Sequence, residues 1–88
     1  MSFMNQDDPT STFYKIVTQY TPLLGERHAQ MIQEDWAHGE AVIAFESLLD
    51  NLQELDAQVD DGTRLQLRSI AKALDMLDNE RGKGIYWD

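Results

Sequence analysis

Apolar residues recur at helical spacing between Ala41 and Leu55, and this pattern limits the fold of the chain more than any other feature. At about 100° per residue they all fall within one arc of a helix, namely Ala41, Phe45, Leu48, Leu49, Leu52 and Leu55. No segment of the sequence alternates apolar and polar residues in the manner of a half-buried strand. The sequence therefore predicts an amphipathic helix over this stretch and an all-α fold.

Two interruptions divide the rest of the chain into three further helices. Thr21-Pro22 favours a helix start, because threonine is a good N-cap and proline is tolerated at the first helical position. Asp60-Asp61-Gly62 is a turn signal, after which Asp61 or Thr63 is expected to cap the last helix. The predicted inner faces consist of Phe13, Ile16, Val17 and Tyr20, then Leu24, Met31, Ile32 and Trp36, and finally Leu67, Ile70, Ala71, Leu74 and Leu77. The chain is thus expected to form a small bundle of about four helices.

The length of the chain allows one hydrophobic core. Eighty-eight residues are too few for two independent cores, so residues 1–88 are predicted to form a single helical domain. Residues 1–9 are expected to be a flexible N-terminus and residues 82–88 a C-terminal tail. Since Ile85, Tyr86 and Trp87 are large and apolar, we expect this tail to fold back onto the core.

The formal charge of the chain is −9, from sixteen acidic and seven basic residues. A charge of this sign opposes direct binding to nucleic acid phosphates and to anionic membrane surfaces. The absence of cysteine excludes disulfides, thiolate nucleophiles and sulfur-rich zinc sites, and it fits a reducing compartment. The N-terminus has no signal-peptide pattern, and no stretch approaches the roughly 18 apolar residues of a membrane span. A cytoplasmic protein without membrane contact is expected.

The acidic residues are unevenly distributed along the chain. Between His28 and Thr63 the sequence holds nine acids and no lysine or arginine. Three of these acids, which we call the acidic ridge, recur every four residues on the outer face of the predicted third helix: Glu46, Asp50 and Glu54. Like charges at this spacing cost a helix a few tenths of a kcal/mol per pair, and the sequence shows no neighbouring cation to offset that cost.

A face without interspersed cations favours a basic binding partner, since most protein surfaces mix charges of both signs. The acidic ridge is predicted to make the central contacts. Flanking charge is expected from Glu34, Asp35, Asp56, Asp60 and Asp61. The alternative is an ordinary solvated face that keeps a small protein soluble.

The only basic stripe of the sequence lies on the outer positions of the predicted fourth helix. Arg64, Arg68 and Lys72 recur there every four residues. This stripe could face the acidic ridge, or the two could lie in solvent on different sides of the bundle. The sequence leaves both arrangements open.

The sequence holds no pattern for catalysis or metal binding. His38 shares a helical face with Glu34 and Asp35, but one histidine and two acids do not make a site without a second histidine at helical spacing. Both His38 and His28 are therefore expected at the surface or near a helix C-terminus, where the helix dipole stabilises imidazolium. Hydrolysis by paired carboxylates requires one acid in an apolar pocket, whereas these acids share a polar face. We predict a protein that is not an enzyme and needs neither metal nor cofactor.

Two alternative functions rest on other parts of the chain. Glu46-Ser47-Leu48 resembles the Asp-Ser-Leu element of acyl carrier proteins, whose serine opens a helix and carries a phosphopantetheine arm. This resemblance covers three residues, and the apolar period that runs on from Ala41 places Ser47 in mid-helix. An acyl or peptidyl carrier is therefore one alternative. A helical interaction adaptor that uses the aromatic tail as its interface is the other.

A longer run of residues carries a family resemblance. It consists of Gly39-Glu40, Ala44-Phe45-Glu46, Leu48, Asp50-Asn51-Leu52, Glu54 and Asp56, followed by a turn and a last helix. Over residues 31–79 this pattern resembles the small immunity proteins of bacterial polymorphic toxin systems. The nearest match is the MafI-like group and its relatives among contact-dependent inhibition systems.

The resemblance implies a mainly helical inhibitor, not an enzyme, that binds one cognate toxin domain inside the producing cell. Such toxins are commonly nucleases. A nuclease presents cations to phosphate, and an acidic helix can occupy the same groove by imitating the charge of the substrate. The aromatic candidates for buried anchors of such an interface are Tyr20, Trp36, Tyr86 and Trp87.

Overall fold

Residues 8–88 are described by the computed structural model, and they form four α-helices. In chain order these are α1 (Pro9–Leu24), α2 (Glu26–Ala37), α3 (Ala41–Glu54) and α4 (Asp61–Ala73). Helix α2 packs against both α1 and α3, whereas α4 packs mainly against α1. The prediction of a small all-α bundle is confirmed.

The start of α1 lies earlier than the sequence indicated. Residues 1–7 of the predicted flexible N-terminus lie outside the described part of the chain. Pro9, which was included in that terminus, is the first residue of α1. The carboxylate of Asp8 caps the helix by accepting a hydrogen bond of 3.2 Å from the backbone N–H of Thr10.

The predicted helix boundary at Thr21-Pro22 is wrong, because α1 continues through Pro22 to Leu24. The Thr21 hydroxyl donates to the Val17 carbonyl at 2.8 Å instead of capping a new helix. Pro22 has no N–H to donate to the carbonyl four residues earlier, and its ring crowds that carbonyl; the helix ends two residues later. The break falls at Gly25, whose φ of 91° is a left-handed conformation that glycine adopts at little cost.

The inner faces of the four helices meet in one hydrophobic core. Its fully buried large side chains are Phe13, Ile16, Val17, Ile32, Phe45, Leu48, Leu49, Leu52, Leu67 and Ile70. Phe13 of α1 stacks on Trp36 of α2 with ring centroids 4.2 Å apart. Two predicted core residues, Met31 and Leu55, are exposed instead. Since α2 turns Ala29, Ile32 and Trp36 inward, Met31 points away from the core, and Leu55 lies past the last residue of α3.

The end of the chain returns to the bundle. We call residues 79–87 the C-terminal strap. Tyr86 and Trp87 fold back onto the core as predicted and are buried, whereas Ile85, the third apolar residue of the tail, is 41% exposed. The Trp87 indole N–H donates to the Leu77 carbonyl at 2.9 Å, and the indole ring lies so close to Gly82 that a methyl group there would overlap it. The strap is therefore a packed part of the domain.

The helices of residues 8–88 include none with both the length and the apolar character needed to cross a lipid bilayer.

Candidate functional site

The acidic ridge lies on the outward face of α3. Phe45, Leu48 and Leu52 turn into the core, and the helical period therefore places Glu46, Asp50 and Glu54 on the opposite side. The side chain of Asp50 is 54% exposed, and Glu54, the last residue of α3, is also exposed. Asp50 and Glu54 are exposed as predicted, whereas the Glu46 side chain is only 28% exposed.

A cation from the C-terminal strap lies on this ridge. Arg81 Nη1 is 3.1 Å from Glu46 Oε2, and Arg81 Nε is 3.1 Å from both carboxylate oxygens of Asp50. The hydrogen bond with Asp50, followed by the charge of Glu46, raises the pKa of Arg81 above its usual value. The expectation that no cation relieves the ridge is wrong for these two acids. Arg81 lies 31 residues beyond Asp50 in the sequence, so a search confined to one helix could not find it.

Two further hydrogen bonds fix the strap against α3. The Asn79 amide donates to Glu46 Oε2 at 2.9 Å, and the Gln53 amide donates to the Arg81 carbonyl at 2.7 Å. Glu46 and Asp50 therefore hold the strap, whatever else they bind. Glu54 has no ion-pair partner within residues 8–88, where the three ion pairs involve Glu46, Asp50 and Asp78.

The predicted flanking acids lie at both ends of α3. Glu34, which is exposed, and the half-buried Asp35 are near the end of α2, and a short turn joins this end to the start of α3. Asp56, Asp60 and Asp61 follow the end of α3. Along the chain, the flanking acids therefore precede and follow the helix that carries the acidic ridge.

Asp60 has a structural role in addition to its charge. Its carboxylate caps α4 by accepting a hydrogen bond of 2.8 Å from the backbone N–H of Thr63. This bond, together with a side-chain hydrogen bond from Thr63, lowers the pKa of Asp60 below its usual value. Asp61 and Thr63, the two predicted caps, lie within the first turn of the helix instead. Asp60 is consequently a poor choice for testing partner binding by mutation.

The basic stripe of α4 does not neutralise the acidic ridge. Arg64, Arg68 and Lys72 are exposed, and α4 packs mainly on α1 instead of α3. No ion pair joins α4 to α3 in the part of the chain that the structure covers. Arg64 instead supports the strap by donating to the Ile85 carbonyl at 3.2 Å. Of the two arrangements that the sequence left open, the structure shows the one with separate charged faces.

The predicted aromatic anchors belong to the core. Tyr20, Trp36, Tyr86 and Trp87 are all buried. Three of their polar tips bond within the domain: the Tyr20 hydroxyl to the Gln58 carbonyl at 2.8 Å, the Trp36 indole N–H to the Thr10 hydroxyl at 3.1 Å, and the Trp87 indole N–H to the Leu77 carbonyl at 2.9 Å. None of the four presents a large surface to a partner.

An exposed apolar residue that we did not predict lies beside the acidic ridge. Ile43 is 54% exposed and precedes Glu46 by three residues and Asp50 by seven. Residues at these spacings share one face of a helix. The periodicity that places the acidic ridge on the outer face of α3 also places Ile43 there, whereas the anchors were expected among the aromatic residues.

The positions of Ser47 and the histidines do not add chemistry to this surface. Ser47 is half-buried in the middle of α3, as predicted, and the Asn51 amide donates to its carbonyl at 2.7 Å. His38 is the C-cap of α2, with Nδ1 2.7 Å from the Glu34 carbonyl oxygen, and His28 is exposed. No group of three or more potential metal ligands is found among residues 8–88.

The candidate site is therefore a binding surface made of the acidic ridge, Ile43 and the flanking acids. Carboxylates with one exposed aliphatic side chain can bind a cationic protein surface through charge and apolar contact. Comparison of the chain with protein-family models, curated proteins and solved structures found no match.

Proposed function

We propose that this protein is an immunity protein that binds and neutralises a cognate toxin domain, a nuclease with a basic face, in the cytoplasm of the producing cell. One observation carries the proposal. The outward face of α3 combines an exposed isoleucine with three carboxylates, and one arginine only partly neutralises them. The family resemblance of residues 31–79 supports the same function.

The electrostatics of α3 suit a cationic partner. Arg81 contributes one positive charge against the three carboxylates of the acidic ridge, so the ridge keeps a net negative charge. The flanking acids at both ends of α3 extend this field. A nuclease surface that attracts phosphate is attracted by such a field, which speeds association and aligns the partners.

The exposed apolar residue beside the ridge is proposed to supply affinity, to which the charges contribute little. Charged rims mainly raise the association rate, whereas a few desolvated side chains at the centre of an interface carry most of the affinity. Ile43 is the exposed apolar residue on the ridge face of α3. We assign it as the anchor of the complex.

The two alternative functions lack a comparable observation. A carrier requires its serine at the start of a helix, whereas Ser47 lies in the middle of α3. An adaptor that uses the tail as its interface requires accessible aromatics, whereas Tyr86 and Trp87 are buried. Intact-mass measurement after co-expression with a phosphopantetheinyl transferase is expected to show an unmodified Ser47.

Charge reversal at Glu54 tests the proposed function. Glu46 and Asp50 also hold the strap, so Glu54 is the ridge residue that can be changed without disturbing the fold. Lysine at the C-terminal end of a helix is favourable to its dipole, which makes Glu54→Lys compatible with a stable α3. We expect it to weaken binding to a catalytically inactive form of the proposed cognate toxin domain by about tenfold, measured by titration calorimetry.

Glu26→Lys is the matched control. It makes the same change in net charge at the first residue of α2, outside the proposed surface, and it costs the helix dipole a favourable interaction. We expect this control to bind like the wild type and to protect cells that express the active toxin. Equal weakening by both variants would show that overall charge, and not the α3 face, determines binding.

The ionic strength of the buffer provides an independent prediction. The Debye length falls from about 30 Å at 0.01 M salt to about 8 Å at 0.15 M salt. We therefore expect the association rate with the toxin domain to fall by about tenfold or more over this range, with a much smaller change in the dissociation rate. Stopped-flow fluorescence measures both rates, and a salt-independent association rate would contradict an electrostatic role for the ridge.

A further inference from the structure

We propose that Arg81 determines the specificity of the acidic ridge by acting as a built-in competitor for the partner's cations. In the free protein the Arg81 guanidinium occupies Glu46 and Asp50, and in the complex it gives these carboxylates up to a cation of the partner. The inference rests on the proposed function in one respect, which is that the ridge binds a cationic surface.

The contacts of Arg81 place it where a partner's cation must bind. Its Nη1 contacts Glu46 and its Nε contacts Asp50, each at 3.1 Å. One guanidinium therefore spans two of the three ridge carboxylates. A cation that approaches α3 has to displace this group or accept a site of reduced negative charge.

The displacement is within reach of a strongly charged partner. The side chains of Arg81, Asp50 and Glu46 are 40%, 54% and 28% exposed, and the pair with Asp50, the more exposed of the two, contributes little to stability because water screens it. The amide of Asn79 remains on Glu46 when the guanidinium leaves. Exchange of Arg81 for another cation therefore involves a small difference in free energy.

The strap has anchors that do not depend on Arg81. Trp87 and Tyr86 are buried in the core, and the Trp87 indole N–H donates to the Leu77 carbonyl. Arg64 donates a further hydrogen bond to the Ile85 carbonyl. The Arg81 side chain can therefore swing away from α3 while the strap stays in place.

The consequence is a threshold for binding. A partner with several well-placed cations gains more free energy from the ridge than is lost with the Arg81 contacts, and it therefore displaces the guanidinium. A basic peptide with few contacts does not gain enough to displace it. Such a peptide therefore binds more weakly than it would to a ridge without Arg81. Arg81 thus lowers the affinity of the ridge for unselected cations, which is the repulsive component that specific interfaces require.

The test compares two variants with the same change in net charge. Arg81→Gln removes the competitor and keeps an amide that can bond to the ridge, whereas Arg68→Gln removes an exposed arginine of α4. The probe is a hexa-arginine peptide, with binding followed by fluorescence anisotropy at low salt. We expect Arg81→Gln to bind the probe about tenfold more tightly than the wild type, and Arg68→Gln no more than about twofold more tightly. Equal gains in the two variants, or no gain for Arg81→Gln, would overturn the proposal.

A measurement on the wild type keeps the test valid if Arg81→Gln loosens the strap. In a titration with hexa-arginine followed by NMR, the Arg81 Nε–H resonance is expected to move toward that of free arginine as the probe saturates. The Trp87 indole N–H resonance is expected to stay in place, because the strap remains seated. An Arg81 resonance that does not move at saturation would show that the guanidinium is not displaced.

Failure of this proposal can be distinguished from failure of the proposed function. If hexa-arginine binds with the expected difference between the two variants but the toxin domain does not bind, the role of Arg81 stands and the partner is another cationic protein. If the toxin domain binds and is inhibited while the two variants behave alike, the function stands and Arg81 only supports the strap.

Discussion

Replacing Trp87 with alanine is expected to lower the free energy of unfolding by about 3–5 kcal/mol. The indole is 6% exposed, lies almost parallel to the Phe45 ring, and covers Gly82. Its loss leaves a cavity at the edge of the core and a strap without its main anchor. Small domains have a net stability of about 5–15 kcal/mol, so this one side chain accounts for a large share of the free energy of unfolding. Urea unfolding followed by far-UV circular dichroism measures the change.

A substitution at Gly82, on the other side of its contact with Trp87, tests whether close packing between these two residues determines stability. Gly82→Ala adds a methyl group that overlaps the Trp87 indole, so the strap has to shift and stability falls. In Gly82→Ala/Trp87→Ala the overlap is absent, and the combined loss should be clearly smaller than the sum of the single losses. Additive losses would contradict this packing arrangement.

Gly62→Ala is the matched control for the glycine substitution. A Cβ at Gly62 would have Asp60 Oδ1 as its nearest neighbour, at 3.8 Å, and the residue lies in the first turn of α4. Alanine restricts the unfolded chain and favours the helix, so we expect this variant to be as stable as the wild type or more stable by about 0.5 kcal/mol. The same change of one methyl group thus has opposite effects at the two positions.

The helical architecture could be predicted from the sequence because it depends on local periodicity. The inner face of α3 from Phe45 to Leu52 follows directly from apolar spacing. The boundary between α1 and α2 was misplaced because Thr21-Pro22 is compatible with either a helix start or a last helical turn, and the burial of Leu24 against the core favours the latter. Gly25 decides the boundary through its backbone conformation.

The site could be predicted only in part, because some of its residues lie close together in the sequence and others meet only through tertiary packing. The ridge acids and Ile43 lie on one helix, where spacing alone defines their common face. Arg81 reaches Asp50 only because the strap folds back through burial of Trp87 and Tyr86. A pairing across 31 residues depends on tertiary packing, and a charge count along the sequence cannot reveal it.

Ile43→Ala is expected to raise the dissociation rate of the toxin complex by about thirtyfold, corresponding to about 2 kcal/mol for a central apolar contact. The association rate should change little, because the charges that steer the encounter remain in place. Since Ile43 is 54% exposed on α3 and alanine has a higher helix propensity than isoleucine, the free protein should keep its stability. Surface plasmon resonance with the immobilised inactive toxin domain measures both rates.

Leu65→Ala provides the control for this prediction. Leu65 is 70% exposed on α4, more than Ile43, but it lies beside the basic stripe and not on the ridge face. If the partner binds α3 as proposed, loss of the more exposed leucine should leave both rates unchanged. A complex that is weakened by Leu65→Ala but tolerates Ile43→Ala would place the interface on α4, and the acidic ridge would then serve mainly to seat Arg81 and the strap.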